Sequence, residues 1–137
     1  MSNSTREVAQ RYMDLLSAGK FSEAFDMLSD TAVYRIIGTT PLSVPLPGRE
    51  AVKAALVPAL ASFQKPLKLT CHELIVEGSR VVTIASGEGA GPTGLPYKQA
   101  HYAMVLSIEN GQIQSVVEFM DTVAVETALL GNKLVPA

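Results

Sequence analysis

The chain has 137 residues, 47% of them hydrophobic, and a formal net charge of −2, the size and composition of one domain with a substantial core. Its charges are interspersed, which excludes a basic face for nucleic acid, and its apolar runs are too short to span a bilayer. The one cysteine, Cys71, excludes an internal disulfide and a thiolate zinc cluster.

The opening Met-Ser-Asn-Ser-Thr-Arg-Glu lacks the apolar stretch of a secretory signal, so the expectation is a soluble, cytoplasmic protein. Ser4 to Glu7 reads Ser-Thr-Arg-Glu, a capping box that starts a helix. Val8, Tyr12, Leu15 and Leu16 follow at helical spacing, and Gly19 is placed to end it. Ser22 is placed to cap a second, shorter helix carrying Phe25 and Leu28. Residues 31–37 are rich in β-branched and aromatic side chains and predict a strand. The proline-rich stretch 41–48 excludes a helix and predicts a loop.

In the third helix Val52, Ala55, Leu56, Ala59, Leu60 and Phe63 fall on one stripe, with Pro58 inside it as a kink point. From Leu67 onward the apolar period changes to two, predicting strands at 67–76, 80–88, 97–109 and 112–120. Glu77-Gly-Ser-Arg80 and Glu109-Asn-Gly-Gln112 are hairpin turns, the Asn-Gly pair being the stronger signal. Gly87 to Gly94 forms a glycine-rich connection, and a short helical tail runs from Asp121 towards Gly131. Helices followed by an antiparallel meander define an α+β domain, one unit over 1–137.

Gly89-Ala-Gly-Pro-Thr-Gly94 satisfies G-x-G-x-x-G, but Pro92 interrupts it and no helix follows to receive a phosphate. It is a hairpin loop. His72 and His101 have no second histidine at ligand spacing, which favours surface or interface roles over a metal site. Without a Gly-x-Ser-x-Gly elbow, and with His72 on the opposite sheet face from Cys71, covalent catalysis has no support. Cys71 is read as a packing residue.

The last strand carries a carboxylate among apolar residues. Val116, Glu118 and Met120 share one face, and Val117, Phe119 and Asp121 the other. Turned inward, Glu118 would be desolvated with a raised pKa, as suits a general base or acid; turned outward, it is a solvated charge. Alternation alone leaves both open. Asp121 ends the strand as a helix N-cap. Tyr12 is either a core tyrosine bonded to backbone or a donor into a cavity. Tyr102 shares an apolar face with Met104, Leu106 and Ile108. Of Tyr34 and Arg35 one faces inward, and an inward Arg35 must be paired or await an anion.

Four segments carry a resemblance: Gln10-Arg-Tyr-Met-Asp-Leu-Leu-Ser-Ala-Gly19, Gly48-Arg-Glu-Ala-Val52, Glu109-Asn-Gly-Gln-Ile113 and the closing Glu118-Phe-Met-Asp-Thr122. Over nearly its whole length the chain resembles the nuclear transport factor 2-like superfamily, in particular its SnoaL-like and ketosteroid isomerase-like members. The resemblance implies a cone-shaped, curved antiparallel sheet wrapped over N-terminal helices (cystatin-like), with a pocket inside and a homodimer formed through the sheet. Tyr12 matches the oxyanion-stabilising tyrosine of ketosteroid isomerases. Glu118 matches the acid/base aspartate of polyketide cyclases and the water-activating aspartate of limonene-type epoxide hydrolases, and so faces the pocket. Partner positions differ: the isomerases' aspartates fall at Arg35 and near Met104, the cyclases' histidine at Met104, and the hydrolases' Arg and second Asp at Ala85 and Gly87.

The implied catalytic residues are therefore Glu118 and Tyr12, with Tyr102, Arg35, Met104, Phe63, Met120 and Asp121 holding a small apolar molecule. No metal or organic cofactor is expected. The expected activity is cofactor-independent acid/base isomerisation or cyclisation of an apolar carbonyl compound. A non-catalytic ligand-binding or sensing domain, epoxide hydrolysis, and an interaction module using the outer sheet face are the alternatives.

Overall fold

A helix α1 (Thr5–Ser17) begins where the capping box predicts, with the Ser4 side chain accepting from the Glu7 N–H at 3.1 Å. The computed structural model describes residues 4–137; the first three residues of the opening segment, in which no secretory signal was read, lie outside them. Val8, Ala9, Tyr12, Met13 and Leu16 form the buried stripe of α1, and Gly19, at φ +75°, turns the chain out of it.

The second helix, α2 (Phe21–Phe25), starts one residue before Ser22 and has no side-chain cap. It is also shorter than its pattern predicts, because Leu28 already opens strand β1 (Leu28–Ile36). Within the proline-rich loop, Leu46 and Pro47 make a two-residue strand β2 that pairs with Val33 and Tyr34. Gly48, at φ +92°, launches α3 (Arg49–Ala61); a Cβ there would lie 2.9 Å from the Asp30 carbonyl oxygen. Arg49 ties this corner to β1, with a 2.7 Å ion pair to Asp30 and a 3.2 Å bond to the Leu28 carbonyl.

Helix α3 runs through Pro58 and stops two residues short of Phe63. Among its side chains only Val52 is fully buried, and Ala55 is exposed. Its stripe faces the internal cavity instead of the close-packed core: Leu56, Ala59 and Leu60 line that cavity, as does Phe63 just beyond the helix.

Four long strands follow: β3 (Lys65–Glu77), β4 (Arg80–Ala90), β5 (Pro96–Glu109) and β6 (Gln112–Phe119). Their hairpins close at Glu77–Arg80 and Glu109–Gln112, where Asn110 and Gly111 both take positive φ, as the Asn-Gly signal predicts. Gly87 and Gly89, read from sequence as part of a connection, lie inside β4. The six-stranded sheet has the order β2-β1-β6-β5-β4-β3. All pairs are antiparallel except β1 with β6, whose parallel pairing follows from the crossover by α3 and the β3–β5 meander. After β6, Asp121 caps a short helix α4 (Thr122–Ala124), continued by a π-helical turn over Val125–Leu129.

Helix α1 packs on β3, β4 and β5, and the core between them holds Val8, Tyr12, Met13, Leu69, Val81, Leu106 and Val116. Among the described residues no helix is long and apolar enough to cross a membrane.

Candidate functional site: an apolar cavity with one carboxyl

The concave sheet face, α3 and the C-terminal turn line a partly open cavity of about 110 Å³. Leu16, Phe25, Tyr34, Leu67 and Leu69 line it from the helices and outer strands, and Val125 and Leu129 close it from the tail. Two edge-to-face aromatic pairs stiffen its walls, Phe25 with Tyr34 at 6.1 Å and Phe63 with Tyr97 at 6.0 Å between ring centroids.

Glu118 is the single charged side chain among the described residues that line this space. It stands on the inner face of β6, 8% exposed, with Val116 on the same face and Val117 and Phe119 turned outward. Its nearest cross-strand neighbours are Met104 on β5 and Ile36 on β1, so neither flanking residue can neutralise it. Burial without a cation pushes its pKa from 4.5 up to about 8. A carboxyl in that state can give or take a proton near neutral pH.

Of the residues singled out from sequence, Glu118, Tyr102, Met104, Phe63 and Met120 line this one cavity. Tyr12, Arg35 and Asp121 do not. The Tyr12 ring is fully buried behind the wall, and its hydroxyl has no hydrogen-bond partner among the described residues. Burial raises its pKa, and the charge of Glu118 raises it further, which favours the neutral phenol. Arg35 is exposed and pairs with Val117 on the outer face; Tyr34 is the inward member of that pair. Asp121 is also exposed, and its Oδ1 accepts from the N–H groups of Val123 and Ala124 at 3.0 and 3.3 Å, so its carboxylate is spent as a helix cap.

Sequence reasoning missed Tyr97 and Gln99. Alternation back from Ile108 through Met104 and Tyr102 predicts that Ala100 and Lys98 face inward. A register shift in the β4–β5 ladder, between the Ala85–Tyr102 and Gly87–Gln99 pairs, reverses the phase. Ala100 and His101 are then both exposed, while Gln99 and Tyr97 are buried. Gln99 Nε2 donates to Tyr97 Oη at 2.9 Å, and Tyr97 and Tyr102 share a hydroxyl hydrogen bond at 3.2 Å. Burial raises the pKa of both phenols. Gly87 gives the Tyr102 ring its place, since a Cβ there would come within 2.9 Å of Tyr102 Cε2. The glycines opposite this stretch were the one available signal.

His72 and His101 are exposed, with His72 Nε2 2.8 Å from Ser86 Oγ. Among the described residues no three His, Cys, Asp or Glu side chains converge on a metal position. The glycine-rich segment ends β4 and turns into β5 without a following helix.

A cone of curved sheet over helices, around a partly open apolar cavity, defines an α+β small-molecule-pocket fold. Residues 9–116 match the SnoaL-like domain, and the chain belongs to that family. Solved structures agree on the fold. A proposed isomerase from Bacillus subtilis superposes with a TM-score of 0.78 at 18% identity, covering 96% of each chain. A proposed SnoaL-like polyketide cyclase from Jannaschia sp. CCS1 gives 0.76 at 18% identity over 97% of this chain and 99% of the other. A protein of cystatin-like fold from Xanthomonas campestris gives 0.79 at 19% identity, over 89% and 95%. At such identities the likeness is one of fold. No curated protein sequence matches the chain.

Proposed function

We propose that the chain is a cofactor-independent acid/base catalyst that moves a proton on a carbon beside the carbonyl of a small apolar compound. The observation that carries this is Glu118, an unpaired carboxyl on the wall of an otherwise apolar cavity. Its carboxylate takes the proton, the C–H electron pair becomes the enolate, and the charge gathers on the carbonyl oxygen. A phenol donor at Tyr102 lowers the cost of that charge, and return of the proton from Glu118 to the same carbon, or to the γ-carbon where the substrate carries a double bond conjugated with the enolate, restores the base. Such chemistry requires no metal or organic cofactor. The names of the B. subtilis and Jannaschia proteins, an isomerase and a polyketide cyclase, are consistent with this reaction class.

The test is deuterium exchange beside the carbonyl of cyclohexanone and related ketones, followed by NMR in D2O. Exchange that climbs as pH passes 8 and vanishes in Glu118→Gln supports the proposal. Exchange untouched by that substitution rejects it. A second reading, ligand capture without turnover, is favoured by the lack of another charged group among the described lining residues; tight ketone binding with no exchange would select it.

Assembly belongs to the same proposal. The outer sheet face carries Ile75 and Phe119, 49% and 46% exposed, around the half-buried Val82, Ile84, Val105 and Val117. An apolar patch of this kind fits a second copy of the chain.

A further inference from the structure

Two of the phenols that line the cavity are ordered from a direction the acid/base proposal does not use. Gln99 is held at both ends by the backbone of one residue, Asp121. Its Oε1 accepts from the Asp121 N–H at 2.8 Å, and its Nε2 donates to the Asp121 carbonyl at 2.8 Å. These two bonds fix which end of the amide is the donor. The second Nε2 hydrogen goes to Tyr97 Oη. Both amide hydrogens are then in use, and Tyr97 is an acceptor.

Counting the remaining hydrogens leads to one conclusion whichever way the phenols point. Tyr97 and Tyr102 together have two hydroxyl hydrogens, and their mutual bond consumes one. The other has no acceptor among the described residues, and both rings line the cavity. Because Tyr97 already accepts from Gln99, polarisation along the chain favours Tyr97 donating to Tyr102 and Tyr102 donating onward. Placement agrees: Tyr102 lies two residues from Met104, which pairs with Glu118, so Tyr102 and Glu118 are diagonal neighbours on one sheet face. Such neighbours have Cα atoms roughly 7–8 Å apart. Tyr97 lies beyond the register shift.

We infer that Gln99 is a positioning residue which, through Tyr97, holds the Tyr102 hydroxyl as the donor to the oxygen of a single-ring ketone. The inference rests on the proposal that a carbonyl compound occupies this cavity. The size follows from volume: about 110 Å³ is somewhat less than an engineered apolar cavity of roughly 150 Å³ that accepts benzene. One six-membered ring with its oxygen against Tyr102 fills the space, and its adjacent carbon then faces Glu118.

The experiment compares three probes on the whole chain by calorimetry: cyclohexanone, its hydrocarbon isostere methylenecyclohexane, and the two-ring ketone 2-decalone. Labelled cyclohexanone also reports its carbonyl stretch by infrared difference spectroscopy. Relative to the isostere, cyclohexanone should bind the wild type roughly 5-fold tighter than it binds Tyr102→Phe, the value of about one neutral hydrogen bond, with the carbonyl band moved to lower frequency. Tyr102→Phe should abolish both the preference and the band shift. Gln99→Leu should cut both while leaving methylenecyclohexane affinity unchanged. Should that variant fail to fold, Tyr97→Phe replaces it with the same expectation, since it leaves the Asp121 backbone bonds in place.

Equal loss of both single-ring probes in Gln99→Leu would show a structural role only and overturn the assignment. A full band shift in Tyr102→Phe would overturn the donor, and tighter binding of 2-decalone than of cyclohexanone would overturn the size. A wild type that shows the ketone preference but no deuterium exchange keeps this inference and removes the catalytic proposal. Exchange dependent on Glu118 without a ketone preference does the reverse.

Discussion

Glu118 pairs with Met104 across the two central strands, so the buried carboxyl has a thioether where a cation would neutralise it. That pairing dictates how the protein responds to pH. In the unfolded chain Glu118 loses its proton near pH 4.5, and in the native protein only near pH 8. Between those values the native state binds more protons, so stability falls as pH rises. The contribution is complete below pH 4.5 and lost by the time pH has passed 8. Its size is on the order of 5 kcal/mol. Thermal melts from pH 5 to 9 should show this decline, and Glu118→Gln should flatten it and melt higher than wild type at pH 8.5. Parallel wild-type and variant profiles would show that Glu118 is already ionised at pH 5.

Tyr12 buries a hydroxyl that no described group satisfies. Tyr12→Phe should therefore be neutral or stabilising, by up to about 1 kcal/mol, because it removes an uncompensated desolvation cost. Deuterium exchange on cyclohexanone should persist in this variant. A large fall in exchange with stability unchanged would place the Tyr12 hydroxyl on the substrate after all.

Gly87 sits under the Tyr102 ring, with Leu69 Cδ2 only 3.0 Å from where a Cβ would stand. Gly87→Ala should overpack this corner and cost about 1–3 kcal/mol. The displaced ring should also show as reduced ketone preference. A denaturant midpoint equal to wild type would mean that Tyr102 and Leu69 give way freely.

Val105 and Val117 pair across β5 and β6 on the outer face. Val105→Lys should yield monomers in sedimentation velocity at concentrations where the wild type sediments as a dimer, with little change in the melting of the fold. A monomeric wild type at micromolar concentration would remove the dimer proposal.

Much of the frame was legible because local chemistry and global fold agree. Ser4 and Glu7 announce α1, Asn110-Gly111 announces the last hairpin, and the change of period at Leu67 announces the meander. Three features were hidden for separate reasons. Leu28 looks helical by spacing from Phe25, and only its pairing with Ile113 across the sheet makes it a strand residue. Arg35 and Tyr34 cannot be told apart by alternation until β6 fixes which face is covered. Gln99 and Tyr97 were unreadable because a strand irregularity exchanges inside for outside, and nothing in the alternation shows where the phase slips. One of the residues most exposed to misreading was thus the one whose amide bonds a phenol on the cavity wall. Asp121 was read correctly as a helix cap, but it stands off the cavity wall that it was expected to share, because its carboxylate caps the helix while its backbone bonds Gln99.

That double use of Asp121 has a mechanical meaning. Its side chain starts the C-terminal turn whose Val125 and Leu129 form one wall, and its backbone anchors the amide behind the phenols. The wall and the donor therefore share one foundation. Thr93, in the β4–β5 turn, adds a second tie by bonding the Ala128 carbonyl. Unwinding of the C-terminal turn back as far as Asp121 would slacken the oily wall of the chamber and the amide behind its phenols together, so opening the chamber and loosening its phenols are a single event.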